Sequence, residues 1–189
     1  MFAEIAQFLL NVFLQGFASL LLLRFLLQWL RAPLRNPFGE FIMAITDFLV
    51  LRARRYIPSL WLLDTATLVL AFTVELIYLA LTHVVLAGHS LLYFPSLGLM
   101  ALSVVELTKM SVYLLMGALI VQAILSWVNP YTPIAPLLSA VTQRFLRPLQ
   151  RVLPLIGHVD LSPLVLLVIC QIILFAPVAM LEGMALRLF

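Results

Sequence analysis

Residues 126–163 read SWVNPYTPIAPLLSAVTQRFLRPLQRVLPLIGHVDLSP, and an earlier stretch repeats their skeleton. Trp29 falls on Trp127, and Pro37 on Pro136 after one extra residue in the second copy. Thr46, Arg55, Pro58 and Asp64 then fall on Thr142, Arg151, Pro154 and Asp160. These last four pairs keep one register, so the spacing T-x8-R-x2-P-x5-D occurs twice at an offset of 96 residues. Each copy joins an apolar run ending in tryptophan to another apolar run. The chain is therefore expected to divide into a degenerate first repeat, 1–92, and a second repeat, 93–189.

Composition sets the solvent. Hydrophobic residues make up 65% of the chain, charged residues only 10%, and the mean hydropathy is +1.17. A soluble domain carries about a quarter charged residues. A bilayer-spanning helix needs about 20 mostly apolar residues, and we count four such runs. The first, from about 5 to 30, is too long for a signal peptide and holds no lysine or arginine before Arg24. The single cysteine, Cys170, lies in the last run, which excludes an internal disulfide and a cysteine metal cluster. The net charge of +3 comes from arginines in short connections, a pattern that suits anionic lipid headgroups and predicts no nucleic-acid contact.

In the first span, Asn11, Gln15 and Ser19 share a helical stripe that is expected to face protein. Arg24 and Gln28 stand close enough to the Trp29 end to snorkel to the interface, where Trp29 itself reads as an anchor. Pro33 and Pro37 end the span. Residues 40–56 form a helix ending in Arg52, Arg54 and Arg55, too charged to cross and expected on the membrane surface. The second span runs from about 62 or 64 to 86, with Asp64 as an N-terminal cap. Glu75 falls near its midplane, where a carboxylate must face the bundle, carry a proton or find a partner. A turn follows around Gly88, His89 and Pro95; His83 and His89 lack metal-ligand spacing.

The third run, about 97–128, exceeds one crossing, so it tilts or begins outside the membrane. Glu106 and Lys109 can pair at i, i+3. Ser111, Ala118, Gln122 and Ser126 share a small and polar face, and Gln122 takes the repeat position of Arg24. After Asn129 and Pro130, residues 137–147 are amphipathic, with Ser139, Gln143, Arg144 and Arg147 away from the apolar side. Pro148 is expected to end that helix and leave 149–153 as a separate turn. Ser162 and Pro163 read as N-cap and first helical residue of the last span, and Pro177 as its kink.

Eight of the eleven basic residues lie in the two tryptophan-to-aspartate connections. Both connections are therefore expected to be cytoplasmic and both termini outside. The expected fold is an all-α membrane protein, with four transmembrane helices in two parallel repeats and an interfacial helix between the spans of each. In each copy a turn can bring aspartate to arginine, Asp64 to Arg55 and Asp160 to Arg151 around Gly157. The alternative keeps each aspartate as a helix-dipole partner and each arginine as a headgroup anchor.

The elements W-x-N-P (Trp127, Asn129, Pro130), T-x8-R-x2-P (Thr142, Arg151, Pro154) and G-x2-DLSP (Gly157, Asp160 to Pro163) resemble the YggT family of bacterial membrane proteins. That family is related to chloroplast proteins of cyanobacterial origin. The resemblance spans essentially the whole chain as two repeats, although 64–67 reads DTAT where the pattern has DLSP. It implies a non-enzymatic protein of the bacterial inner membrane. Plastid and cyanobacterial relatives are associated with assembly of membrane complexes, including haem attachment to a cytochrome b-type subunit, and with nucleoid or division organisation. Some bacterial relatives are linked to osmotic and ion balance. The chain has no CxxCH, no phosphate loop, no HExxH and no nucleophile motif, so no cofactor and no enzymatic activity are expected. Two roles stand. The cytoplasmic helices serve a membrane-protein partner or a second copy, with Arg144, Arg147 and Arg151 among the contacts, or Glu75 and Gln122 mark a polar site in a small oligomeric channel or transporter.

Overall fold

The computed structural model describes residues 2–57, 64–87, 96–129, 131–152 and 160–188. All regular structure among them is helical. Four helices are long and apolar enough to cross a membrane: Phe2–Trp29, Thr65–Val84, Leu97–Ser126 and Ser162–Leu186. The first starts three residues earlier than the run read from the sequence and includes a π-helical turn at Asn11–Gln15. The third is one helix, Ser96–Val128, about 50 Å long at 1.5 Å per residue, against about 30 Å of hydrocarbon. In the last, a π-helical turn at Leu174–Val178 takes up Pro177 and the helix continues to Leu186.

Two further helices connect the spans. The first, Pro37–Ala53, starts earlier than expected because Asn36 caps it. Asn36 is extended, its side-chain oxygen accepts from the Gly39 amide at 2.8 Å, and Pro37 takes the first helical position, where a missing N–H costs nothing. A β-carbon at Gly39 would collide with the Leu34 backbone, so the tight entry to this helix requires glycine there. The second, Ala135–Val152, passes through Pro148 without a break. Proline removes only the bond to the Arg144 carbonyl, and both residues are exposed, so that carbonyl can bond to solvent instead.

Packing repeats with the sequence. Leu21, Val50 and Val74 lie in one apolar cluster, and Leu119, Leu146 and Cys170, their repeat equivalents, lie in another. The third span serves both, contributing Leu107 and Met110 to the first cluster and Leu119 to the second. A third cluster gathers Leu27, Ile42, Leu137, Leu138 and Val141, bringing both connecting helices to the Trp29 end of the first span.

Candidate functional site

Arg24 does not snorkel. It is 3% exposed, covered by the first connecting helix. Its Nη1 donates to the Thr46 hydroxyl at 2.6 Å and to Asp47 Oδ1 at 2.7 Å. The Thr46 hydroxyl in turn donates to the Ile42 carbonyl at 2.6 Å, an i−4 bond within its helix. A buried guanidinium needs such partners because desolvation alone costs several kcal/mol.

The second copy repeats the contact without the charge. Thr142 Oγ1 lies 2.5 Å from Gln122 Oε1 and 2.9 Å from the Leu138 carbonyl. One hydroxyl proton cannot serve both acceptors. Turning the Gln122 amide over lets its NH2 donate to Thr142 while Thr142 donates to Leu138, the same order as Arg24, Thr46 and Ile42.

The far end of each connecting helix is tied to the following span. Arg54, not Arg55, reaches Asp64: Nη2 lies 2.5 Å from Oδ2 and Nε 3.4 Å from Oδ1. The Thr67 hydroxyl donates to the same carboxylate at 2.5 Å and the Thr67 amide also bonds to it, so Asp64 caps its helix as expected. Burial works against the Asp64 carboxylate, but the Arg54 and Thr67 bonds outweigh it and hold the carboxyl below the usual range. The bond to Asp64 in turn raises the Arg54 guanidinium.

In the second copy Gln150, not Arg151, donates to Asp160 at 2.8 Å. The N-cap is Leu161, not the Ser162 of the sequence reading, and Asp160 just before it accepts from the Ser162 amide at 2.9 Å through Oδ1. The Ser162 hydroxyl first, then its amide and Gln150, hold the Asp160 carboxyl low against burial. Ser162 and Pro163 are instead the first two residues of the helix. Both ties lie one residue before the expected arginine. Helical geometry turns neighbours by 100°, so Arg55 and Arg151 are exposed.

Trp29 is 42% exposed, stacks on Phe25, and carries the Arg144 guanidinium 5.1 Å from its ring centre. Arg147 donates to Gln143 at 3.3 Å. Asn129 accepts from the Tyr131 amide. Pro58, Pro130, Pro154, Gly157, the 88–95 turn and the Trp127 side chain lie outside the described residues.

Glu75 faces the bundle and is fully buried, with neither carboxylate oxygen bonded. Glu106 pairs with Lys109 at 2.9 Å as expected, and Lys109 also reaches Glu182 of the last span at 2.7 Å. Glu182 was missed, although it is the sole acidic residue in that run. The polar stripe of the first span is mixed: Asn11 is exposed, and Ser19 donates to Gly16 of its own helix. No cluster of three or more His, Cys, Asp or Glu able to hold a metal occurs among the described residues.

Four apolar helices and a twice-built unit define a multi-pass α-helical membrane protein with an internal duplication. The chain belongs to the CCB3/YggT family, whose profile matches residues 3–85 and again 101–181. It is 30% identical over 167 residues to the "Uncharacterized protein YggT" of Escherichia coli K12, covering 88% of this chain and 85% of that one. It is 31% identical over 163 residues to the "Uncharacterized protein in proC 3'region" of Vibrio alginolyticus, covering 86% and 87%. A Pseudomonas aeruginosa relative is 35% identical over 147 residues, covering 77% and 74%. No solved structure matches.

Proposed function

We propose that this chain is a non-enzymatic accessory or organising protein of the bacterial inner membrane, with its connecting helices forming a cytoplasmic docking platform for another membrane protein. The repeats run parallel in this reading, and both termini lie on the periplasmic side. The observation that carries it is the double tie on each connecting helix: Arg24 to Thr46 and Arg54 to Asp64 in one, Gln122 to Thr142 and Gln150 to Asp160 in the other. Fixing two surface helices costs conformational freedom, and a preformed surface binds with less ordering penalty. The helices offer different chemistry outward: Phe41, Phe48 and Leu51 on the first, Arg144, Arg147 and Arg151 on the second.

The test is crosslinking in native membranes, mild-detergent extraction and mass spectrometry of wild type, Arg151→Ala and Asp160→Ala. A stoichiometric partner lost in either variant supports the platform. Unchanged co-purification with both sinks it.

A second reading, a small oligomeric channel or transporter component for osmotic or ion balance, is favoured by Glu75. A buried carboxylate with no bonded partner is a functional-site hypothesis in a membrane. Under this reading Glu75→Gln abolishes an ion-related phenotype, and under the platform reading it leaves that phenotype intact.

A further inference from the structure

Between the repeats lies an apolar cleft of about 590 Å³, walled by the first, third and last spans and roofed by the second connecting helix. Leu27, Leu115, Ala118, Val141 and Leu166 are typical of its lining. Its Ser111 hydroxyl is already bonded to the Leu107 carbonyl at 2.8 Å. The size is that of a ligand pocket, yet the walls suit hydrocarbon.

At one end, Trp29 and Leu30 border both this cleft and a polar recess of about 690 Å³ that holds Arg31, Arg144 and Arg147. No aspartate or glutamate borders either space among the described residues. Among the described residues, none of the three arginines forms an ion pair with a carboxylate. Trp29 holds the Arg144 guanidinium over its ring.

Arg31 adds an independent observation. It is the one non-glycine residue with positive φ among those described, at 53°. Its amide donates to the Gln28 carbonyl at 3.0 Å and the Ala32 amide to the Leu27 carbonyl at 2.8 Å, the paired bonds of a helix terminus that usually ends in glycine. Glycine would close this turn without strain, and strained backbone concentrates where a side chain has work to do.

We propose that the cleft seats one anionic phospholipid, an acyl chain among Leu27, Leu115 and Leu166 and the phosphate among Arg31, Arg144 and Arg147. Charge complementarity selects this occupant: a hydrocarbon slot that ends in three permanent cations matches a molecule with an apolar tail and an anionic head. The site does not depend on the platform reading.

The test titrates the purified full chain in mild detergent with phosphatidylglycerol or with phosphatidylcholine of the same acyl chains. Native mass spectrometry counts retained lipid, and the thermal midpoint reports occupancy. Wild type is expected to retain one phosphatidylglycerol per chain in preference to phosphatidylcholine. At about fivefold per arginine, the combined Arg31→Gln, Arg144→Gln and Arg147→Gln variant should lose that preference by about a hundredfold. Gly117 borders the cleft, and a β-carbon there meets no atom within 4 Å, so Gly117→Phe should keep the fold while blocking the chain. Equal retention of both lipids by wild type overturns the proposal. So does an unchanged preference in the arginine variant, lipid retention unaffected by Gly117→Phe, or inorganic phosphate shifting the midpoint as far as phosphatidylglycerol does.

Discussion

The Arg24 guanidinium donates to the Thr46 hydroxyl at 2.6 Å, placing a full positive charge beneath the first connecting helix. The equivalent residue in the second copy, Gln122, meets Thr142 with a neutral amide. The shape of the contact is kept while its charge differs. The first copy therefore also needs Asp47, which the second does not.

Arg24→Gln should keep the bond to Thr46 and lose only the ion pair. Asp47 is 41% exposed, so screening limits that loss to about 1 kcal/mol. Arg24→Ala also leaves Thr46 without its donor and opens a cavity, for a total of about 2–4 kcal/mol. Unfolding in mild detergent measures both, and equal costs would contradict the assignment.

Acid should loosen the chain through Asp64. Its folded pKa is depressed, so its contribution is fully present above the unfolded value of about 3.9 and is lost as pH falls through the lower folded value. The part of the thermal midpoint that depends on Asp64, wild type minus Asp64→Asn, should stay flat from neutrality to about pH 5 and shrink below about pH 4. The corresponding part for Asp160→Asn should be smaller, because a guanidinium holds Asp64 and an amide holds Asp160. Identical pH profiles in wild type and Asp64→Asn would falsify this account of the tie.

Glu75→Gln keeps the side-chain shape and removes a carboxylate that has no bonded partner. Stability should hold or rise, by up to about 3 kcal/mol. A loss of similar size would mean that the carboxylate has a stabilising role the bonding pattern does not explain.

The repeat was legible because Thr46, Arg55 and Asp64 recur in register, and the buried sets Leu21, Val50, Val74 and Leu119, Leu146, Cys170 follow from it. The choice between Arg54 and Arg55 was not. Neighbours on a helix differ by 100°, and only the angle between the connecting helix and the next span selects one. Gln150 carried a usable signal, since it lies 96 positions after Arg54 and is polar. Arg24 misled because its depth suits snorkelling, and a local reading does not reveal that Pro37–Ala53 folds over it. Asn36 before Pro37 was readable as a cap and first turn, whereas continuity through Pro148 goes with the exposed side of the helix on which Arg144 and Pro148 lie.

Paired ties are expected to hold both connecting helices as fixed surfaces, and amide hydrogen exchange reads that fixity residue by residue. In wild type, residues 37–53 and 135–152 should exchange slowly, close to the spans that carry them. Arg24→Ala should speed exchange in 37–53 alone, and Gln122→Ala in 135–152 alone. Fast exchange of either helix in wild type, or rates unchanged by removal of its tie, would contradict the account.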